Sequence, residues 1–112
     1  MATLTVQQPT TAGITPSYAS AAEAGDEFAN DGLTLLQVKG TGTQKVVTIT
    51  AQRTSEKGAT LSDITVTIPA TTGDKMIGPF DPSIFNDSAG KVQVTYSDEA
   101  DLTVAAFKIV RY

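Results

Sequence analysis

The sequence predicts an all-β protein: an antiparallel β-sandwich or barrel of about six to eight short strands behind an extended N-terminal arm. Three observations carry that prediction. Apolar residues alternate with polar ones over short stretches, as in Ile64-Thr65-Val66-Thr67-Ile68 and Val92-Gln93-Val94-Thr95-Tyr96, which is the period of a half-buried strand. Clusters of Gly, Asn, Asp and Ser separate these stretches and supply turn conformations. No segment carries a convincing amphipathic helical pattern.

Residues 1–29 are rich in Thr, Ala, Ser and Gly and show little periodicity. Leu4 and Val6 alternate with Thr3 and Thr5 and suit one short strand, and Gly25 stops a possible helical turn over 20–24. The segment reads as an arm ordered by whatever it lies against, with the β domain spanning 30–112; the alternative is an edge strand plus a long surface loop of the same domain. Asn30-Asp31-Gly32 is a turn, because these residues tolerate positive φ. A strand over 33–39 follows, and Gly40-Thr41-Gly42-Thr43 reads as a hairpin loop into a second strand over 44–53. Ser55-Glu56-Lys57-Gly58 is a polar loop, and 63–68 alternates until Pro69, which cannot donate to a central ladder.

Thr72-Gly73-Asp74 turns the chain into 75–77. Gly78-Pro79-Phe80-Asp81-Pro82 then breaks regular structure, and 83–85 suits one helical turn. Asn86-Asp87-Ser88-Ala89-Gly90 is a further turn before a strand over 91–96. An acidic loop with Asp98, Glu99 and Asp101 leads to the last strand, 102–110, which is apolar on both faces. Such a strand is either covered twice within the fold or waits for a partner.

Composition bounds the chemistry. The 112 residues include 8 Lys and Arg, 12 Asp and Glu, and no His, Cys or Trp. Thiolate and imidazole metal sites, disulfides and every His-activated nucleophile are therefore excluded. A formal charge of −4 and a pI near 4.5 argue against nucleic-acid binding. Aromatic residues make up 6% of the chain, so the core is thin, and oligomerisation or docking onto a larger body is the expected remedy. No stretch approaches the roughly 20 apolar residues of a membrane span. The first nine residues lack a basic region and an apolar run, so synthesis in the cytoplasm without a signal peptide is expected.

Carboxylates are the first candidate chemistry, and no motif locates a Ser-Lys dyad. Asp98, Glu99 and Asp101 lack the spacing and glycine of an EF-hand, and a solvated hairpin loop explains them. Turn formation likewise explains Asp26, Glu27, Asn30 and Asp31. The acids lie mostly in turns and few aromatics exist to build a sugar platform, so a glycosidase pair is not expected. The loop over 40–43 is too short for a phosphate-binding fingerprint and is followed by a strand. The stretch 78–86 is the most distinctive: Phe80, Ile84 and Phe85 in a Pro-stiffened loop read first as a plug closing the sandwich, and second as anchors for a partner.

From Asn30 onward the segments NDGLTLLQVKG, ITVTIPA, IGPFDPSIFND, VQVTYS and LTVAAFKI resemble a family of small virion proteins of tailed bacteriophages, encoded among the head genes. The likeness covers roughly residues 30–110, with the GPF-x-P element its distinctive part. It implies a capsid decoration (cement) protein, a homotrimer on the outer surface of the capsid that bridges major capsid protein subunits. It offers no catalytic residues, and no enzyme activity, cofactor, metal, nucleic acid or membrane partner is expected. Other virion roles (head-tail connector or tail component) and a β-sandwich receptor or carbohydrate module are the alternatives, the last needing exposed aromatics such as Tyr18 or Tyr112. For capsid contacts the sequence nominates Leu4, Val6 and Tyr18 on the arm, Phe80 in the stiff loop, and Phe107 and Ile109 on the last strand. Deleting 1–20 is expected to weaken binding and leave the sandwich folded.

Overall fold

The computed structural model describes residues 2–52 and 63–109. Among these, ten strands and one helical turn follow in order: β1 Ala2–Thr3, β2 Val6–Gln7, β3 Ala19–Ser20, β4 Asp26–Ala29, β5 Thr34–Gly40, β6 Lys45–Ile49, β7 Ile64–Ile68, β8 Gly73–Ile77, α1 Pro82–Phe85, β9 Lys91–Tyr96 and β10 Leu102–Lys108. The first sheet runs β1-β4-β9-β6-β7; the second runs β2-β10-β5-β8, with β3 also on β10. The fold is all-β and sandwich-like. The expected loop at Ser55–Gly58, the strand ends at Arg53 and Val110, and Tyr112 lie outside the described residues.

Strand alternation builds the core. In the first sheet Phe28, Val47, Ile49, Val92 and Val94 face inward and are fully buried, while Thr48, Thr65, Thr67 and Thr95 take the other face. In the second, Leu36 and Val38 of β5 lie opposite Ala106 and Val104 of β10, and all four are buried. Burying each Val, Leu, Ile or Phe contributes about 1.5–3 kcal/mol against the ordering cost of the chain. Asp26, 1% exposed, is among the buried polar groups, and the Tyr96 hydroxyl donates to its Oδ2 at 2.6 Å. Burial, with the bond to Asp26 second, pushes the Tyr96 hydroxyl pKa above its ordinary 10.0.

Residues 2–29, expected as an arm, are woven into both sheets. β1 pairs in parallel with β4, β2 pairs in parallel with β10, and β4 lies between β1 and β9. The sheets are therefore mixed and not purely antiparallel. Leu4 sits at the crossing, its N–H bonded to Glu27 O at 2.8 Å and its side chain 7% exposed. Two-residue strands carry too little alternation to show in a sequence window of four to eight.

The hairpins expected at 40–43 and in the acidic loop are arches between sheets. β5 belongs to the second sheet and β6 to the first, and β9 and β10 divide the same way. Among the described strands only β2–β3 and β6–β7 follow one another within a sheet. Gly40 and Gly73 face each other across β5 and β8, and a Cβ at either would press on Ile68 Cγ2. Thr41 N donates to Asp101 O at 3.2 Å and Thr71 N to Gly42 O at 2.9 Å, which ties three arches together. Turn residues look alike in a hairpin and an arch; the difference lies in which sheet each strand joins.

Leu4→Ala should lower unfolding free energy by about 2–5 kcal/mol in a urea titration, whereas Ile14→Ala, 37% exposed, should change it by less than about 0.5 kcal/mol. Equal, small effects would mean that the N-terminal segment is not part of the core.

Candidate functional site

The stretch 78–86 is the plug that closes the sandwich. The Phe80 ring lies 5.8 Å from Phe28 and 6.1 Å from Phe85, the latter edge-on, which is favourable aromatic geometry. Asp81 caps the helical turn by accepting from Ser83 N at 2.9 Å, with Pro82 at the start of the turn, where its missing N–H costs nothing. Asn30 donates through Nδ2 to Phe80 O at 3.1 Å and to Asn86 Oδ1 at 2.8 Å. Asn86 returns a bond to Asn30 O at 2.8 Å. The turn before β5 and the plug are thus clasped by two reciprocal amides.

Three nominated contact residues are consequently buried, Leu4 and Phe80 in the core between the sheets and Phe107 on the outer side of β10. Phe80 is 1% exposed, and Leu4 and Phe107 are 7% exposed. Phe80 turns inward because the core has few other large side chains to fill it. Phe107 stands between Leu35 and Gln7 in register. Val6 is half-buried against the core. Tyr18 and Ile109 remain accessible, at 37% and 50%.

Those two residues share a face. Tyr18 donates its hydroxyl to Gln37 Oε1 at 3.0 Å, and the Lys39 ammonium stands 4.6 Å from its ring centroid, a cation–π distance. Gln37 and Lys39 lie on the outer face of β5, opposite inward Leu36 and Val38. The Tyr18 side chain, just before β3, therefore reaches across the outer face of β10 to β5, and Ala105 on that face is buried. This explains how β10 is apolar on both faces. Ile109 extends the row of Phe107 past the end of β10, its N–H bonded to Leu33 O at 3.0 Å. Met76 of β8, opposite Gln37 in register, is 56% exposed and was not nominated. Its place in an outward row of β8 is visible only once Lys75 and Ile77 are known to face the other way. The outer face of the second sheet thus presents Leu35, Met76, Tyr18 and Ile109, crossed by the polar run Tyr18-Gln37-Asp74, in which Gln37 Nε2 donates to Asp74 Oδ1 at 2.8 Å.

The carboxylates do not converge. Asp26 bonds Tyr96, Glu27 lies 4.0 Å from Lys91 Nζ, and Asp31 lies 2.8 Å from Lys108 Nζ. Asp98 accepts from Ala100 N and lies 3.5 Å from Lys45 Nζ. Among the described residues no group of three His, Cys, Asp or Glu side chains comes together to hold a metal ion. A groove of about 380 Å³ opens where β3 succeeds β2 along β10, lined by Leu4, Tyr18, Val104 and Ala105 among others. Comparison with protein-family models, with curated proteins and with solved structures returned no match.

Turn closure holds four carboxyls below the ordinary 3.8. Lys108 and the Leu33 N–H lower Asp31, Ser83 lowers Asp81, and Gln93 and the Lys91 N–H lower Asp87. The Ala100 N–H and Lys45 lower Asp98. A depressed folded-state pKa confers stability that is complete above the unfolded value and lost as pH falls through the folded one. The chain has no His, so the urea midpoint should hold between about pH 7 and 5 and drop below about pH 4. Asp31→Asn and Asp87→Asn together should flatten that drop; an unchanged acid limb would assign it elsewhere. Phe80→Ala should cost about 3–5 kcal/mol of stability, and a near-zero cost in the same titration would return Phe80 to the surface.

Proposed function

We propose that the protein is a structural virion protein that docks on the outside of a phage capsid through the outer face of its second sheet, bridging major capsid protein subunits. The observation that carries this reading is the asymmetry of the sandwich. One outer face is polar, with Thr48, Thr65, Thr67 and Thr95 set among Glu27, Lys91, Gln93 and the half-buried Val46; the other exposes Met76, Ile109 and Tyr18 around fixed polar groups, the composition of an interface with apolar anchors and a polar rim. The resemblance of residues 30–110 to phage head proteins supplies the partner. The formal charge of −4 favours the outer surface over the DNA-facing one.

Co-sedimentation with undecorated phage heads tests the reading. The wild-type chain should pellet with the shells. Met76→Glu and Ile109→Glu should each weaken binding by about 10- to 100-fold, the equivalent of losing one buried apolar anchor. Thr48→Glu and Thr95→Glu, on the opposite face, should change it little. A wild-type chain that stays in the supernatant, or equal loss from both faces, would overturn the proposal.

A further inference from the structure

The two sheets end in four kinds of edge, and three are blunted. β1 is two residues long, and β2 and β3 are two residues each. β8 carries Asp74 and Lys75, both exposed, in its middle. Short strands and edge charges are the usual protections against pairing with another chain. β7, the last strand of the first sheet among the described residues, has neither: it is Ile-Thr-Val-Thr-Ile, five uncharged residues of high β propensity.

The ladder shows which groups that edge offers. Ser97 N donates to Val46 O, Val46 N donates to Ser97 Oγ, and Thr50 N donates to Gln93 O. The even residues of β6 therefore face β9, and Lys45, Val47 and Ile49 face β7. Their register partners are Ile68, Val66 and Ile64, so the N–H and C=O of Thr65 and Thr67 point away from the sheet. Pro69, next in that outward row, has no N–H to leave unpaired.

β7 is also a palindrome about Val66. We infer that it pairs with β7 of a second copy of this chain, antiparallel and centred on Val66, joining two first sheets into one continuous sheet. A two-fold interface requires residue i to meet j and j to meet i, and here every facing pair is matched: Ile64 with Ile68, Thr65 with Thr67, Val66 with itself. Thr65 and Thr67 supply four N–H···O=C bonds between the copies. Ile64 and Val66, half-buried in the single chain although they face the core side, gain cover from the partner strand. The inference stands apart from the virion reading and survives its failure.

Light scattering on the full chain should give twice the 11.7 kDa chain mass. The pair Thr65→Lys with Thr67→Lys sets like charges opposite each other across the two-fold and should give the single-chain mass. Both side chains are exposed, so circular dichroism and the urea midpoint should stay near wild type. Thr65→Lys with Thr67→Glu restores opposite charges in this register alone and should recover the dimer. The chain has no Cys, so Val66→Cys, on the axis, should cross-link copies under mild oxidation, whereas Thr65→Cys should not. A wild-type monomer, a trimer, a dimer indifferent to the lysine pair, or no cross-link at Val66→Cys would each overturn the inference.

Discussion

Two sheets that do not continue into one another must be held face to face by the side chains between them and by the chain that passes from one to the other. In this protein both means are concentrated. Phe28, Phe80 and Phe85 supply the bulk at one end, and the Asn30–Asn86 clasp fixes the loop that delivers Phe80. Along the side, the first strands pass from β4 in one sheet to β10 in the other with Leu4 between them. With stability of a small domain amounting to only about 5–15 kcal/mol, each of these is a sizeable share of the whole.

The same constraint shapes the surface. Because seven of the connections between described strands cross the gap, as the sheet orders require, each sheet keeps one face for the core and one for solvent. The first sheet's outer face mixes Thr with Glu27, Lys91 and Gln93, whereas the second's is crossed by the Tyr18 side chain and leaves Met76 and Ile109 open. The proposed pairing edge is on the first sheet and the proposed docking face on the second, so one does not obstruct the other. A two-fold axis through Val66 is perpendicular to the joined sheet, and it turns both docking faces to the same side. Two linked faces bind a repetitive surface with a gain in avidity and no new contact.

Much of the strand content was legible in the sequence. β7 and β9 announce themselves by clean alternation, the Asn30-Asp31-Gly32 turn by its chemistry, and a helical turn was read over 83–85, although the Asp81 cap and Pro82 that begin it were read as a break. The plug reading of Phe80 and Phe85 was also open, because a thin core needs every large side chain inside. Sheet membership was hidden: Gly40–Thr43 has the residues of a hairpin loop and serves as an arch. At the N-terminus the alternation around Leu4 and Val6 suggested one short strand where the chain makes two, in different sheets, and Asp26 pairs with a tyrosine 70 residues away, beyond any local pattern. Of the nominated contacts, Tyr18 and Ile109 reach the surface, since a two-sided apolar strand does not reveal whether its own chain already covers it. Met76 was missed because an edge strand with inward-facing Lys75 does not read as amphipathic.

Native-state hydrogen exchange tests most directly whether the first 29 residues and the later strands form one cooperative sandwich. The Leu4 amide is bonded to Glu27 O and the Ala21 amide to Leu102 O. Both should exchange only through global unfolding, with the opening free energy measured for Val94 in the middle of β9. Exchange of Leu4 and Ala21 at an opening free energy several kcal/mol lower, with Val94 still protected, would show an arm that detaches from a self-sufficient domain and would contradict the integrated fold.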